Sequence, residues 1–276
     1  MGDTAVDDEN RSACLSVVVP VYNEEATLTE IVRRLLTVPH LLEIIIVDDC
    51  STDQTPQIAR QLAETYPQVR VAHHPRNSGK TAALKTGLTL TTGSVVIIQD
   101  ADLEYDPGEI PAVIEPILQG YADVVYGSRF LVRKAARVLY FYHFLGNRVL
   151  TFLSNLLTNL NMTDVETGYK AFKGDLIRSM VIVSDGFGFE VEVTAKAAKL
   201  GCTIYEVPIS YYGRTYKEGK KIGTIDGIKA LWFIVRFNLF CSRRASFRQP
   251  SELNLMAARE PHDALISQSP EGQKES

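Results

Sequence analysis

The 276-residue chain has only four cysteines, Cys14, Cys50, Cys202 and Cys241, and no CxxC pair. That scatter excludes a zinc module and a thioredoxin-type redox site, and it fits free thiols in a reducing compartment. A large charge excess is also missing. Against 33 acidic residues there are 29 basic ones, a net charge of -4, which excludes a strongly basic nucleic-acid binder. No apolar run reaches the roughly 18 residues of a membrane-spanning helix. The nearest, 230–235, is cut by Arg236. The opening residues MGDTAVDDENR are acidic and polar, the reverse of a secretory leader. What remains is an ordinary folding composition, 45% hydrophobic and 22% charged, which rules out a disordered chain, a collagen and a coiled coil. The length suits about two domains, or one α/β domain with an appendage.

An apolar run of strand length occupies 15–21, and further strands read at 43–47, 69–72, 94–99 and 122–126. Helical patterns lie between them at 27–36, from Pro56, from Gly79 to about 93, and at 107–119. Thr27-x-x-Glu30 reads as a capping box. This alternation predicts an α/β fold, a mostly parallel central sheet flanked by helices. Ligands of such sheets bind beyond the carboxyl ends of the strands. Asp48, Asp49, Asp100, Asp102 and the turn at Tyr22-Asn23-Glu24 all fall there.

Beyond residue 130 the pattern changes. Val149, Phe152, Leu153, Leu156, Leu157 and Leu160 share one helical face, opposite Thr151, Ser154, Asn155, Thr158 and Asn159. Such a helix either packs on the main domain or lies at a lipid interface. A helix at 187–200, strands near 202–207 and 209–212, and a last helix at 224–240 follow. In that last helix Ile225, Ile228, Leu231, Trp232, Val235 and Leu239 form an apolar stripe, with Phe233, Phe237 and Phe240 suited to an interfacial layer. Arg236, Arg243, Arg244 and Arg248 could meet anionic head groups. A second basic cluster, Arg129, Arg133, Lys134, Arg137 and Arg148, precedes them. His73 and His74 read as loop residues with no acidic partner.

Two motifs carry chemistry. Gly79-Lys80-Thr81 imitates the end of a P-loop, but the glycine required five residues earlier is His74, so a nucleoside triphosphatase is excluded. Asp100-Ala101-Asp102-Leu103-Glu104 follows a buried strand. If the segment stays extended, Asp100, Asp102 and Glu104 point to one side. Clustered carboxylates repel unless a cation sits between them, and oxygen ligands suit Mg²⁺ or Mn²⁺.

Pro20-Val21-Tyr22-Asn23-Glu24, Val47-Asp48-Asp49, Asn77-Ser78-Gly79-Lys80 and Asp100-Ala101-Asp102 occur in the order seen in family-2 glycosyltransferases. Tyr126-Gly127-Ser128-Arg129 and the run from Gly213 to Lys221 resemble the dolichyl-phosphate (polyprenyl-phosphate) mannose synthase group. The resemblance covers about residues 15–240. It implies a glycosyltransferase A-type nucleotide-binding fold with amphipathic C-terminal helices, inversion at the sugar carbon and a polyprenyl phosphate acceptor. By motif match, Pro20, Tyr22, Glu24, Val47 and Asp49 line the nucleotide-sugar pocket, with Asp49 on the nucleoside. Asp100 and Asp102 hold the metal on the donor diphosphate, Ala101 packs beside it, and Glu104 stands where this group often has Gln as third ligand. Arg129, Arg214 and Lys220 are the cations that hold two anions together, the last two on a Gly-flanked loop expected to close over them. Glu190 and Lys170 are further pocket candidates.

The expected organisation is a disordered lead at 1–14, a catalytic domain at 15–223, an amphipathic interfacial helix and basic segment at 224–248, and a disordered tail at 249–276. The expected activity is metal-dependent transfer of a hexose, mannose from GDP-mannose first, to a polyprenyl or dolichyl phosphate. The enzyme would sit peripherally on the cytoplasmic face of a membrane. The alternatives are a UDP-glucose donor, a saccharide hydroxyl acceptor, for which no strong carboxylate base is visible, and a non-catalytic nucleotide-sugar-binding membrane scaffold.

Overall fold

A computed structural model describes residues 13–131, 140–186, 188–213 and 224–247. Arg214, Lys220, Arg133, Lys134, Arg137, Arg248, the tail and nearly all of the lead lie outside the described residues. So does the side chain of Ile225.

Seven strands form one sheet in the order β3-β2-β1-β4-β6-β5-β7. They are β1 (Leu15–Val21), β2 (Leu41–Asp48), β3 (Val69–His73), β4 (Val95–Ile98), β5 (Val124–Ser128), β6 (Lys170–Lys173) and β7 (Ile204–Pro208). All neighbours run parallel except β6, which lies antiparallel between β4 and β5. The central strands are apolar on both faces because helices cover both. Val17 and Val19 pack under α1 (Leu28–Leu35) and near α4 (Ile110–Leu118). Val18 faces the other way, toward α3 (Lys80–Leu90) and α7 (Phe189–Leu200). The helix α2 (Thr55–Thr65) covers β3, and α6 (Gly174–Ser179) follows β6.

Several local expectations are corrected. The capping box does not form: Thr27 Oγ1 donates to Glu24 Oε2 at 2.8 Å, while Arg33 and Arg34 hold Glu30. No strand occupies 209–212; that segment passes over the acidic turn, where the Tyr212 N–H donates to the Glu104 carbonyl at 2.9 Å. The sequence reading also missed β6, four residues with a lysine at each end, and the short α6.

The C-terminal helices α5 (Phe141–Thr158) and α8 (Thr224–Leu239) pack on each other and on α7. In α5 the polar face is the buried one. Thr151 and Ser154 are 3% and 2% exposed, whereas Phe152 and Leu156 are 65% and 67% exposed. The reason is the segment beneath it. The Val165 N–H donates to Thr151 Oγ1, and Asn155 exchanges hydrogen bonds with the Met162 backbone. In α8, Phe233 and Phe237 stack on each other inside a core with Val191 and Ala195, so they are not interfacial. Ile228, Trp232, Leu239 and Phe240 do face outward. Among the described residues no helix is long and apolar enough to cross a membrane.

Candidate active site

A cleft of about 1180 Å³ opens at the carboxyl ends of the strands. Parallel strands with buried faces deliver their last residues to this edge, and the chain then turns into the covering helix. The loops after β1 and β2 form one wall. They are latched together: the Asn23 N–H donates to Ser51 Oγ at 2.9 Å and the Thr52 N–H to Asn23 Oδ1 at 2.8 Å. Pro20, Tyr22, Glu24 and Asp49 line this wall.

Asp49 is buried and strongly held. Its carboxylate accepts from the N–H groups of Ser78 and Gly79, the latter at 2.7 Å, and meets His74 Nδ1 at 2.7 Å. It therefore fixes the start of α3, where Gly79 adopts φ +87°, a conformation costly for any side chain. His74 also reaches Thr86 Oγ1 at 2.8 Å, and His73 Nδ1 lies 3.2 Å from Asp48. Both histidines thus have acidic partners, which only the pairing of β2 with β3 brings near. Val47 is not in the cleft. Strand alternation turns its side chain under α3, against Ile45 and Ala83.

The turn after β4, the neighbour of β1 in the sheet, brings Asp100, Ala101, Asp102 and Glu104 into the lining of the same cleft. The chain does not stay extended there, because Leu103 sits at φ +61°. The expected alternation fails accordingly, and among the described residues no three acidic, histidine or cysteine side chains group to hold a metal. Glu104 instead accepts from the Tyr211 hydroxyl at 2.8 Å. Asp100 is gripped by Lys80, whose Nζ lies 2.7 and 2.8 Å from the two carboxylate oxygens. Burial, the largest single influence, disfavours the Lys80 ammonium, but the charges of Asp100 and Glu190 and the hydrogen bond to Asp100 together hold Lys80 above its ordinary range. Asp100 and Asp102 remain hard oxygen donors on one wall, a pair suited to Mg²⁺ or Mn²⁺.

Arg129, from the end of β5, forms a fork with Asp164, with both N–O distances 2.7 Å. The Arg129 backbone N–H and Asn147 also donate to Asp164, at 3.2 and 2.9 Å. Burial opposes both charges, yet their attraction keeps Asp164 below and Arg129 above their ordinary values. The guanidinium also lies 5.2 Å from the Tyr211 ring centroid.

Glu190 lines the cleft, and Lys170 lies fully buried beneath it, held by the Val165 and Thr167 carbonyls. Asp164 and Glu166 were not singled out from the sequence. They sit in a stretch with no strand or helix period, and only the fold carries them to Arg129. Glu166 is pushed up to about 7, by burial first and then by Glu190. The C-terminal helices add an apolar share of the lining, Leu145, Val149 and Leu150 from α5 and Ile228 and Leu231 from α8, with His143 and Asn147 of α5 as polar members.

Comparison with known proteins agrees with this architecture. An undecaprenyl-phosphate mannosyltransferase of Micrococcus luteus is 31% identical over 80% of this chain and 93% of its own. An uncharacterized protein of Methanocaldococcus jannaschii is 30% identical over 81% of this chain and 92% of its own. The fold is the glycosyltransferase A type. It matches glucosyl-3-phosphoglycerate synthase of Mycobacterium tuberculosis, solved with Mn²⁺ and UDP-glucose, at a TM-score of 0.65 and 21% identity. That match covers 82% of this chain and 79% of the other. Residues 16–180 match the Glycosyl transferase family 2 profile, so the chain belongs to that family and is a glycosyltransferase.

Proposed function

We propose that the protein transfers a hexose from a nucleotide sugar to the phosphate of a polyprenyl phosphate, with mannose from GDP-mannose as the leading donor. One observation carries this reading: a continuous cleft is lined both by Asp100, Asp102 and Arg129 and by the apolar residues of α5 and α8. Carboxylates that can hold a cation suit a diphosphate, and an apolar rim suits a prenyl chain. Val149 and Ile228 line the cleft and are themselves exposed, so the apolar part of the cleft opens outward. The mannosyltransferase relative from Micrococcus luteus is named for a polyprenyl phosphate acceptor, which supports the same pairing.

In this reading an anionic oxygen of the acceptor phosphate attacks the anomeric carbon. The bond to the diphosphate breaks, and the configuration inverts. A phosphate monoester already carries negative charge near neutral pH and needs little help from a base. A Mg²⁺ or Mn²⁺ ion held by Asp100 and Asp102 would neutralise the departing diphosphate. Lys80 must release Asp100 for that, which leaves its ammonium within reach of the same diphosphate. Asp49 and Gly79 keep the α3 N-terminus in place beside it. Arg129 holds the acceptor phosphate near the donor, and we assign Arg214 and Lys220 to the same task from their motif. Peripheral membrane attachment through α5 and α8 would bring the cleft to an acceptor that cannot leave the bilayer.

The donor is tested with a panel of nucleotide sugars, a short polyprenyl phosphate and either Mg²⁺ or Mn²⁺. GDP-mannose is expected to give the fastest formation of lipid-linked sugar. Faster turnover with UDP-glucose would replace mannose by glucose. No lipid-linked product from any donor would overturn the proposal.

A further inference from the structure

Three buried side-chain atoms lack a hydrogen-bond partner among the described residues: Gln99 Oε1, Glu166 Oε1 and Ser184 Oγ. Of these residues only Glu166 lines the cleft. A buried carboxyl oxygen without a donor is costly, and a folded protein tolerates it where something else completes it.

The charged groups around Glu166 do not complete it. Lys170 is committed to the Val165 and Thr167 carbonyls and lies 5.0 Å from the Tyr126 ring centroid. Arg129 is forked on Asp164. Glu190 and, more weakly, Asp164, the other carboxylates acting on Glu166, repel its charge. The segment carrying Glu166 runs beside the acidic turn: a Cβ on Gly168 would stand 2.8 Å from Asp100 Oδ2. Glu166 therefore lines the cleft from the segment that flanks Asp100, two residues before Gly168, near where the donor diphosphate would be held.

We propose that Glu166 reads the transferred sugar, its carboxyl pairing with one hydroxyl of the hexose. This rests on the cleft being a nucleotide-sugar site. Charge decides which part of the ligands Glu166 meets. A phosphate set against Glu166 and Glu190 would face two carboxylates, which disfavours either anion. The nucleoside belongs to the wall of Tyr22 and Asp49. The hexose is neutral and rich in hydroxyl donors. A carboxyl near 7 also pairs with a hydroxyl in either protonation state, accepting when ionised and able to donate when neutral. A site built around one such bond rejects the analogue lacking that hydroxyl, because its own polar group is then left unpaired.

The test measures equilibrium binding of the nucleoside diphosphate, the accepted nucleotide sugar and its monodeoxy analogues. Wild type, Glu166→Gln and Glu166→Leu are compared, with thermal melts confirming that each variant folds. Wild type should bind one deoxy analogue at least about tenfold more weakly than the parent donor. Glu166→Leu should bind that analogue and the parent alike, with unchanged affinity for the nucleoside diphosphate. Glu166→Gln, which keeps a polar group, should retain part of the discrimination. Three results overturn the inference. Glu166→Leu could discriminate as wild type does. It could lose diphosphate and sugar-nucleotide affinity by the same factor. Or it could lose turnover while every affinity stays unchanged, which would make Glu166 a proton acceptor. If wild type binds neither the diphosphate nor any nucleotide sugar, the reading of the cleft fails first, and this inference with it.

Discussion

Asp49, Asp102 and Asp164 show how one residue type takes three roles according to its partners. Asp49 is closed off by Ser78, Gly79 and His74 and organises the backbone at the start of α3. Asp102 lies on the cleft wall, where a cation can reach it. Asp102→Asn should leave the melting temperature nearly unchanged and lower turnover on the order of a hundredfold or more, since the leaving group loses metal stabilisation. Near-normal turnover would remove Asp102 from the metal site. Asp164 is wholly buried and balances Arg129. Asp164→Asn leaves that guanidinium buried without its counter-charge, so denaturant titration should show a loss of about 3–5 kcal/mol. Glu166 gives a pH dependence. Its carboxyl rises from an ordinary 4.5 to about 7 in the fold. Between these values the unfolded chain is ionised and the folded protein holds the proton, so stability falls as pH rises through that window. Stability curves from pH 4.5 to 7 should be flatter for Glu166→Gln than for wild type. An equal slope in both would mean that Glu166 titrates normally.

At the scale of elements, α5 is the informative case. Its apolar face was legible from residue spacing, but the direction of that face was not. The residues that bury its polar side, Met162 and Val165, follow the helix in sequence and meet it only after the chain folds back. The alternation of strands and helices up to β5 was legible because β1, β2, β4 and β5 are mostly apolar along their length and helical patterns separate them. β6 was not, since four residues with terminal lysines carry no period. That the Tyr22–Glu24 turn, Asp49 and the acidic turn reach the cleft was likewise legible, because each sits at a strand end. Asp164 and Glu166 were not, because an irregular segment carries them. The outward face of α5 and α8 makes its own prediction. Phe152→Glu with Leu156→Glu should weaken binding to anionic vesicles at least about tenfold while nucleotide affinity survives. Arg243→Glu with Arg244→Glu should also release the protein at low salt, and the difference from wild type should shrink as salt rises. Unchanged sedimentation of both variants would detach this face from the membrane.

For the molecule as a whole, the sheet and the two C-terminal helices make different halves of one cleft. The sheet edge supplies carboxylates and a fixed α3 N-terminus, which suit a charged donor. The helices supply an apolar rim, which suits a prenyl tail. On the proposed function, the acceptor phosphate lies where these halves meet, beside Arg129. The most direct measurement offers one saturating donor to three acceptors: a short polyprenyl phosphate, the same polyprenol without its phosphate, and a free saccharide. Products are identified by mass spectrometry. Transfer to the polyprenyl phosphate alone, with the anomeric configuration inverted, is the predicted result. Transfer to the saccharide or to the unphosphorylated alcohol, with none to the phosphate, would contradict it.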